Sequence, residues 1–300
     1  MSKESRWILF AQALFVTVLW SASKIILKLG LGLISPLLLI GCVQAVALIA
    51  LLIYYSFHPI KFNKPFNKTE IYSLILLGVM GFVVAPWFSV TGLKYVAGTT
   101  AGLFASISSV LVMFIGWIIL KERPRIWQIL GGLVAFWGAY VFLVDGKFSG
   151  TNFGIFMIII AEICYAFNIV LTRLIMRRPG DDALLVSLVG SFLGTAILLP
   201  LGLLGGNLGS LGSWQIWLII VSAGLIFAFA GLIWNYTLNY LMSFEASILQ
   251  NTMLIQIGFF SVIFLREVIT WNNILGAIIV ISSVYLVNRQ SLNKYVTRAN

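Results

Sequence analysis

The sequence predicts an all-α integral membrane protein of ten transmembrane helices, arranged as two inverted-topology five-helix repeats. Three observations predict it. The composition is one no water-soluble core could bury. Ten apolar stretches carry flanking charges that favour one side. A short text recurs 145 residues further along the chain.

Of 300 residues, 61% are hydrophobic and only 9% charged. A soluble domain has about 45–50% apolar and about 25% charged residues. Lipid must therefore be the solvent over most of the surface. The net charge of +10 reads as membrane-flanking topology signals, not as a surface for nucleic acid. Cys42 and Cys164 lie inside apolar segments and offer neither a disulfide framework nor metal spacing.

A helix needs about 20 apolar residues to cross the hydrocarbon. The first such stretch, 7–29, follows Lys3 and Arg6. It is too long for a signal-peptide core and no small-residue cleavage site follows, so it reads as a retained helix. The others fall at 34–56, 71–92, 98–120, 126–144, 152–175, 184–204, 214–239, 245–265 and 271–288. Breaks come at Ser35-Pro36, His58-Pro59, Asn63 to Asn67, Arg123-Pro124, Pro179 to Asp182 and the Gly-rich run 202–213. All should be helices, because an open sheet in lipid leaves backbone groups unpaired. With the N-terminus in the cytoplasm, 14 Lys and Arg flank the cytoplasmic side and 4 the other. That asymmetry predicts a multi-pass protein of the cell (plasma or inner) membrane with both termini cytoplasmic.

Sliding the chain by 145 residues aligns 71–143 with 216–288 at 15 identities in 73 positions, among them Phe82/Phe227, Ala85/Ala230, Tyr95/Tyr240, Glu122/Glu267 and Gly131/Gly276. The same offset sets Trp20 on Tyr165 and Lys28 on Arg173. Residues 1–147 are thus expected to form the first repeat and 148–300 the second, within one bundle. Five spans is an odd number, so the second half enters the membrane from the opposite side. Inverted repeats of this kind place a substrate site near the midplane between the halves.

Two motifs give the chain a family likeness. The first helix carries Trp20-Ser21-Ala22-Ser23 with Lys28 downstream. The fourth ends Leu120-Lys121-Glu122-Arg123-Pro124, with Gly131-Gly132 following, and the second repeat answers with Leu265-Arg266-Glu267-Val268-Ile269 and Gly276. Over 7–288 the chain resembles the EamA-type branch of the drug/metabolite transporter superfamily. It departs from the pattern in lacking the second proline and in having Ser21 where glycine is usual. The resemblance implies secondary transport without cofactors, by alternating access of the two repeats, with export of amino acids or similar small metabolites as the expected activity. Multidrug efflux or flipping of lipids and lipid precursors is the alternative. The partners implied are a small-molecule metabolite and the bilayer, with protons as a candidate coupling ion, and the assembly is a monomer or a homodimer.

The candidate cavity residues follow from the cost of polar groups in hydrocarbon. Glu162 lies about ten residues into the sixth span, or ~15 Å deep, and Lys24 about five residues from the end of the first, a depth difference of ~7 Å that long side chains bridge. Glu162 is the candidate ligand for a substrate ammonium or a proton. Lys24 is its counter-charge or the ligand of a carboxylate; a structural ion pair, or snorkelling by Lys24, is the plainer reading. Gln250, Asn251 and Gln256 in the ninth span either line the cavity or hydrogen-bond neighbouring helices. Pro86 and Gly231 are matched interruptions, expected as hinge or kink positions. They would bring Trp87, Trp234 and Asn235 near the pocket, together with Trp20; lipid-facing or interfacial tryptophan is the alternative. Glu122 and Glu267, at the ends of the fourth and ninth spans, are expected to be structural, ordering the following turns with Lys121, Arg123 or Arg266. Gly98-x-x-x-Gly102 and Gly190-x-x-x-Gly194 are candidate close helix contacts. No catalytic or metal-binding set is expected: the chain has one histidine, and its nine acids show no cluster in the membrane. A membrane-embedded transferase is correspondingly disfavoured. There is no phosphate-binding Gly-x-x-x-x-Gly-Lys loop for a primary pump.

Overall fold

The structure is a computed structural model that describes residues 3–60, 66–122, 126–143, 151–177, 183–206, 208–265 and 270–296. Its helices are α1 (Lys3–Gly30), α2 (Pro36–Phe57), α3 (Lys68–Gly78), α4 (Ala85–Tyr95), α5 (Gly98–Leu120), α6 (Ile126–Leu143), α7 (Asn152–Met176), α8 (Ala183–Gly205), α9 (Trp214–Thr237), α10 (Ser243–Gln250), α11 (Thr252–Leu265) and α12 (Trp271–Val296). A π-helical turn, Val79–Val84, joins α3 to α4 into one span. A break at Asn251 divides another span into α10 and α11. The result is the ten expected spans. Seven of the described helices are long and apolar enough to cross a bilayer, and the described parts of the fourth, fifth and tenth spans add shorter apolar helices.

Helix starts follow local chemistry. Pro36 stands at the first turn of α2, where its missing N–H costs nothing. Asn67 and Glu70 form a reciprocal capping box at 2.8 Å in each direction. Its polar residues extend the third span three residues before the expected 71. The tenth span runs to Val296 rather than 288, because helix continues past the hydrocarbon where hydropathy has no signal.

The packing maps onto itself when each span is exchanged for the one five further on. α2 lies along α8 and α6 along α12, each pair a span and its mate. The span of α3 and α4 packs on α7 as α9 packs on α1. α5 packs on α7 as α10 and α11 pack on α1. Short connections make successive spans antiparallel, so mates five apart run in opposite directions and the relating two-fold lies in the membrane plane. At the α2–α8 contact the backbones touch: a Cβ on Gly41 would stand 2.8 Å from Leu199 Cα, and one on Gly202 2.7 Å from Leu38 Cα.

Two apolar clusters close the bundle toward its two ends. One contains Leu93, Val96 and Ala101. The other contains Leu238, Leu241 and Ala246, which are the same positions 145 residues on.

Candidate functional site

Between these clusters lies a cavity of about 150 Å³. Its wall begins at the π turn. Pro86 has no N–H to offer the Phe82 carbonyl four residues earlier. Gln44 Nε2 donates to that carbonyl instead, at 3.1 Å. Asn168 Nδ2 reaches from α7 to the Leu77 carbonyl at 3.0 Å. Space for these side chains comes from glycines. A Cβ on Gly81 would fall 2.0 Å from Asn168 Nδ2, and one on Gly190 2.4 Å from the Phe82 ring. The Gly190-x-x-x-Gly194 stripe is thus the seat of the distorted third span, with Gly194 against the Phe82 carbonyl and Gln44.

The lining is built from repeat mates. Trp20 and Tyr165, Ser23 and Asn168, Lys24 and Ile169, Phe82 and Phe227, Pro86 and Gly231, Ser89 and Trp234, Val90 and Asn235, and Ser108 and Met253 all face it. Each pair is separated by 145 residues. A cavity lined this way straddles the pseudo-two-fold axis.

Of the expected site residues, the cavity gathers Glu162, Lys24, Trp20, Trp234, Asn235, Gln250, Pro86 and Gly231. Glu162 is only 5% exposed. Ser108 hydrogen-bonds its carboxylate, and the Lys24 charge acts on it across the cavity. The Trp20 and Trp234 rings pack tilted with centroids 5.1 Å apart. Asn235 Nδ2 donates to Ser187 Oγ at 2.9 Å.

Trp87 stands apart from the cavity, and Asn251 and Gln256 take the second of their two expected roles, hydrogen bonding to neighbouring helices. Trp87 does not line the cavity; it is 36% exposed and packs beside Phe88. Pro86, Ser89 and Val90 take the inward positions at i, i+3 and i+4, which leaves Trp87 ~100° round the helix. Asn251 accepts from Ser109 Oγ at 2.8 Å through Oδ1, which ties α10 to α5. Gln256 accepts from Ser21 Oγ at 2.9 Å and donates to Thr17 Oγ1 at 3.0 Å, joining α11 to α1. The helix break at Asn251 turns these two polar groups onto protein neighbours, while Gln250 and Met253 keep the cavity face.

Glu122 stays near the surface end of α5, and its described partners come from elsewhere in the bundle; Arg123 lies outside the described residues. Lys121 adopts a left-handed conformation with φ 54°, and the chain reverses so that Glu122 points back into the bundle. Its carboxylate meets Arg177 Nη2 at 2.5 Å and Arg173 Nε at 3.5 Å, and accepts from Ser243 Oγ at 2.7 Å. Arg173 also donates to the Leu238 carbonyl. One acid thereby joins α5, α7 and α10. At the opposite end Lys28, the mate of Arg173, donates to the Val96 carbonyl at 3.1 Å. Glu267 lies outside the described residues.

Tyr165, Ser23, Phe82, Phe227, Ser89, Ser108, Asn168 and Met253 were not singled out from the sequence as cavity residues. The repeat offset was the signal that finds many of them: Trp20 points to Tyr165 and Trp234 to Ser89. Asn168 follows Glu162 by six residues, yet Glu162, Tyr165 and Asn168 form one stripe at steps of three.

The family model of EamA-like transporters matches twice, over residues 5–144 and 152–289. The chain belongs to the EamA-like transporter family. Each match covers five of the spans. A transporter of Archaeoglobus fulgidus, itself uncharacterized, is 23% identical over 293 residues, spanning 95% of this chain and 99% of that protein. The uncharacterized transporter YoaV of Bacillus subtilis is 22% identical over 90% of this chain and 93% of its own length. An uncharacterized transporter of Methanothermobacter thermautotrophicus is 25% identical over a shorter stretch, 47% of this chain and 42% of that protein. A solved crystal structure superposes with a TM-score of 0.73 over 93% of this chain and 98% of its own, at 15% identity, which is a likeness of fold. As an EamA-like transporter, the chain is a multi-pass membrane protein whose task is transport.

Proposed function

We propose that this EamA-like protein exports a small zwitterion with an apolar body, of the amino-acid class, by alternating access between repeats 1–147 and 148–300. One observation carries the reading: Glu162 and Lys24, on mated spans α7 and α1, line one cavity whose wall also holds aromatic side chains from both halves. A charged pair in hydrocarbon is costly unless it serves a pathway or a partner. An ammonium suits Glu162, a carboxylate suits Lys24, and Trp20, Tyr165, Trp234, Phe82 and Phe227 offer faces for an apolar side chain.

The two apolar clusters supply the gates. Their repeat relation means that the movement that parts Leu93 from its neighbours has a counterpart at Leu238, so one set of contacts opens to each side in turn. The 14 to 4 charge asymmetry supports cytoplasmic termini, and export is what the family likeness implies. Protons are the coupling ion the cavity supports, carried by Glu162.

A thermal-shift screen of the purified protein against amino acids, their amides and the matching amines tests the reading, since a ligand of the folded state raises its melting temperature. Zwitterions with apolar side chains should stabilise wild type most, and Glu162→Gln should erase the shift. Stabilisation by lipids alone would point to flipping instead.

A further inference from the structure

Ser23 is the residue of the cavity whose chemistry is left over. It lines the cavity at 2% exposure, and its hydroxyl has no hydrogen-bond partner among the described residues. Several buried serines are engaged, while Ser35 and Ser261, which do not line the cavity, share with Ser23 the lack of a partner among the described residues. Ser21, two residues earlier, donates to the Thr17 carbonyl at 2.7 Å and to Gln256 at 2.9 Å. Ser187 and Ser283 bond carbonyls of their own helices. Ser109 serves Ser247 and Asn251. A buried polar group that stands unpaired calls for an explanation, and a hydroxyl facing a binding cavity has an obvious one.

Its repeat mate sharpens the point. Asn168 occupies the equivalent place on α7, but its amide is committed to the Leu77 carbonyl. Ser23 also adjoins Lys24 on α1, so one turn of helix offers a cation and an O–H donor side by side. On α7, Glu162 takes the hydrogen bond of Ser108 and makes the opposite pole. The pseudo-symmetric cavity thus has a chemical direction.

We infer that Ser23 is a substrate-recognising residue, whose hydroxyl donates to the carboxylate of a zwitterion held between Lys24 and Glu162. The inference rests on the zwitterion reading above and adds which group tells a carboxylate from its neutral analogues. A site built to hydrogen-bond one substrate group discriminates against analogues lacking it.

The test measures binding of L-phenylalanine, L-phenylalaninamide and 2-phenylethylamine to the full-length protein in nanodiscs. Wild type should prefer the amino acid to both others. Ser23→Ala should weaken L-phenylalanine binding about tenfold, the scale of one hydrogen bond to a charged group, and leave 2-phenylethylamine within about twofold. Ser23→Cys, similar in size but a poor donor, should behave like alanine. Ser21→Ala is the structural control; it should lower the melting temperature and keep the preference. A Ser23→Ala protein that retains wild-type preference, or that loses all three probes equally, overturns the role of Ser23 while the zwitterion reading stands. Wild type that binds none of the three overturns that reading and this inference together.

Discussion

Gln44 donates its side-chain amide to the Phe82 carbonyl across the α2–α4 boundary at 3.1 Å, the acceptor that Pro86 leaves without a backbone donor. A proline kink in lipid is tolerable only when such a carbonyl finds another partner. Replacing Gln44 by Leu should destabilise the protein by ~1 kcal/mol. In a Pro86→Ala background the loss should shrink, because a backbone N–H becomes available. Melting temperatures of the four proteins in a double-mutant cycle give the coupling directly; additive effects would mean that the two residues act independently.

The Phe82 ring rests on Gly190, where an added Cβ would lie 2.4 Å from it. Gly190→Ala should cost ~1–3 kcal/mol through overpacking and drive the ring toward the cavity. Phe82→Leu in the same protein should restore much of the lost stability by giving up the clashing edge. Thermal unfolding of the single and double variants checks this.

Glu122 is the shared partner of Arg173 and Arg177, and is itself buried. Glu122→Ala leaves two guanidinium groups without their acid and should cost ~3 kcal/mol or more. Arg177 has a side chain 38% exposed, so Arg177→Ala should cost ~1 kcal/mol or less. Arg173, 12% exposed, should fall between. A measured order with Arg177 first would contradict the assignment of Arg173 as the inward partner.

Glu162→Gln keeps shape and hydrogen bonding but removes the charge. Flux of the zwitterionic substrate from proteoliposomes should fall at least ~10-fold, equivalent to ~1.4 kcal/mol, with the melting temperature near wild type. Residual flux should lose its dependence on a proton gradient. Unchanged flux at every pH would remove Glu162 from the transport step.

The architecture was legible because each span is a hydrophobic length and each connection a cluster of breakers. Periodicity in lipid is weaker. An apolar face turned to acyl chains and one turned to the core read alike, so Trp87 could not be told from Trp234. The π turn of Val79–Val84 was hidden for a similar reason: its residues are ordinary helix formers, and Pro86 signals only that some carbonyl is released. Asn251 and Gln256 stayed open between the cavity and a helix contact because nothing local shows that Ser109 and Ser21, over a hundred residues away in sequence, are their partners. What carried information across that distance was the repeat. The alignment that pairs Trp20 with Tyr165 and Pro86 with Gly231 holds information on both halves of the wall, although Tyr165 was not drawn from it as a cavity residue. The partners of Glu122 were missed because the nearest cations in sequence, Lys121 and Arg123, were taken first, while the left-handed turn at Lys121 swings the acid toward α7.

The account stands on one cavity serving both sides of the membrane, and Ser89 provides the place to measure it. In a protein with Cys42→Ala and Cys164→Ala, Ser89→Cys puts a single thiol on the cavity wall. Its rate of reaction with an impermeant methanethiosulfonate is then read in vesicles of each orientation, with and without L-phenylalanine. The account predicts reaction from both faces, slowed on both by the amino acid. Reaction from one face only, whatever the ligand, would contradict it.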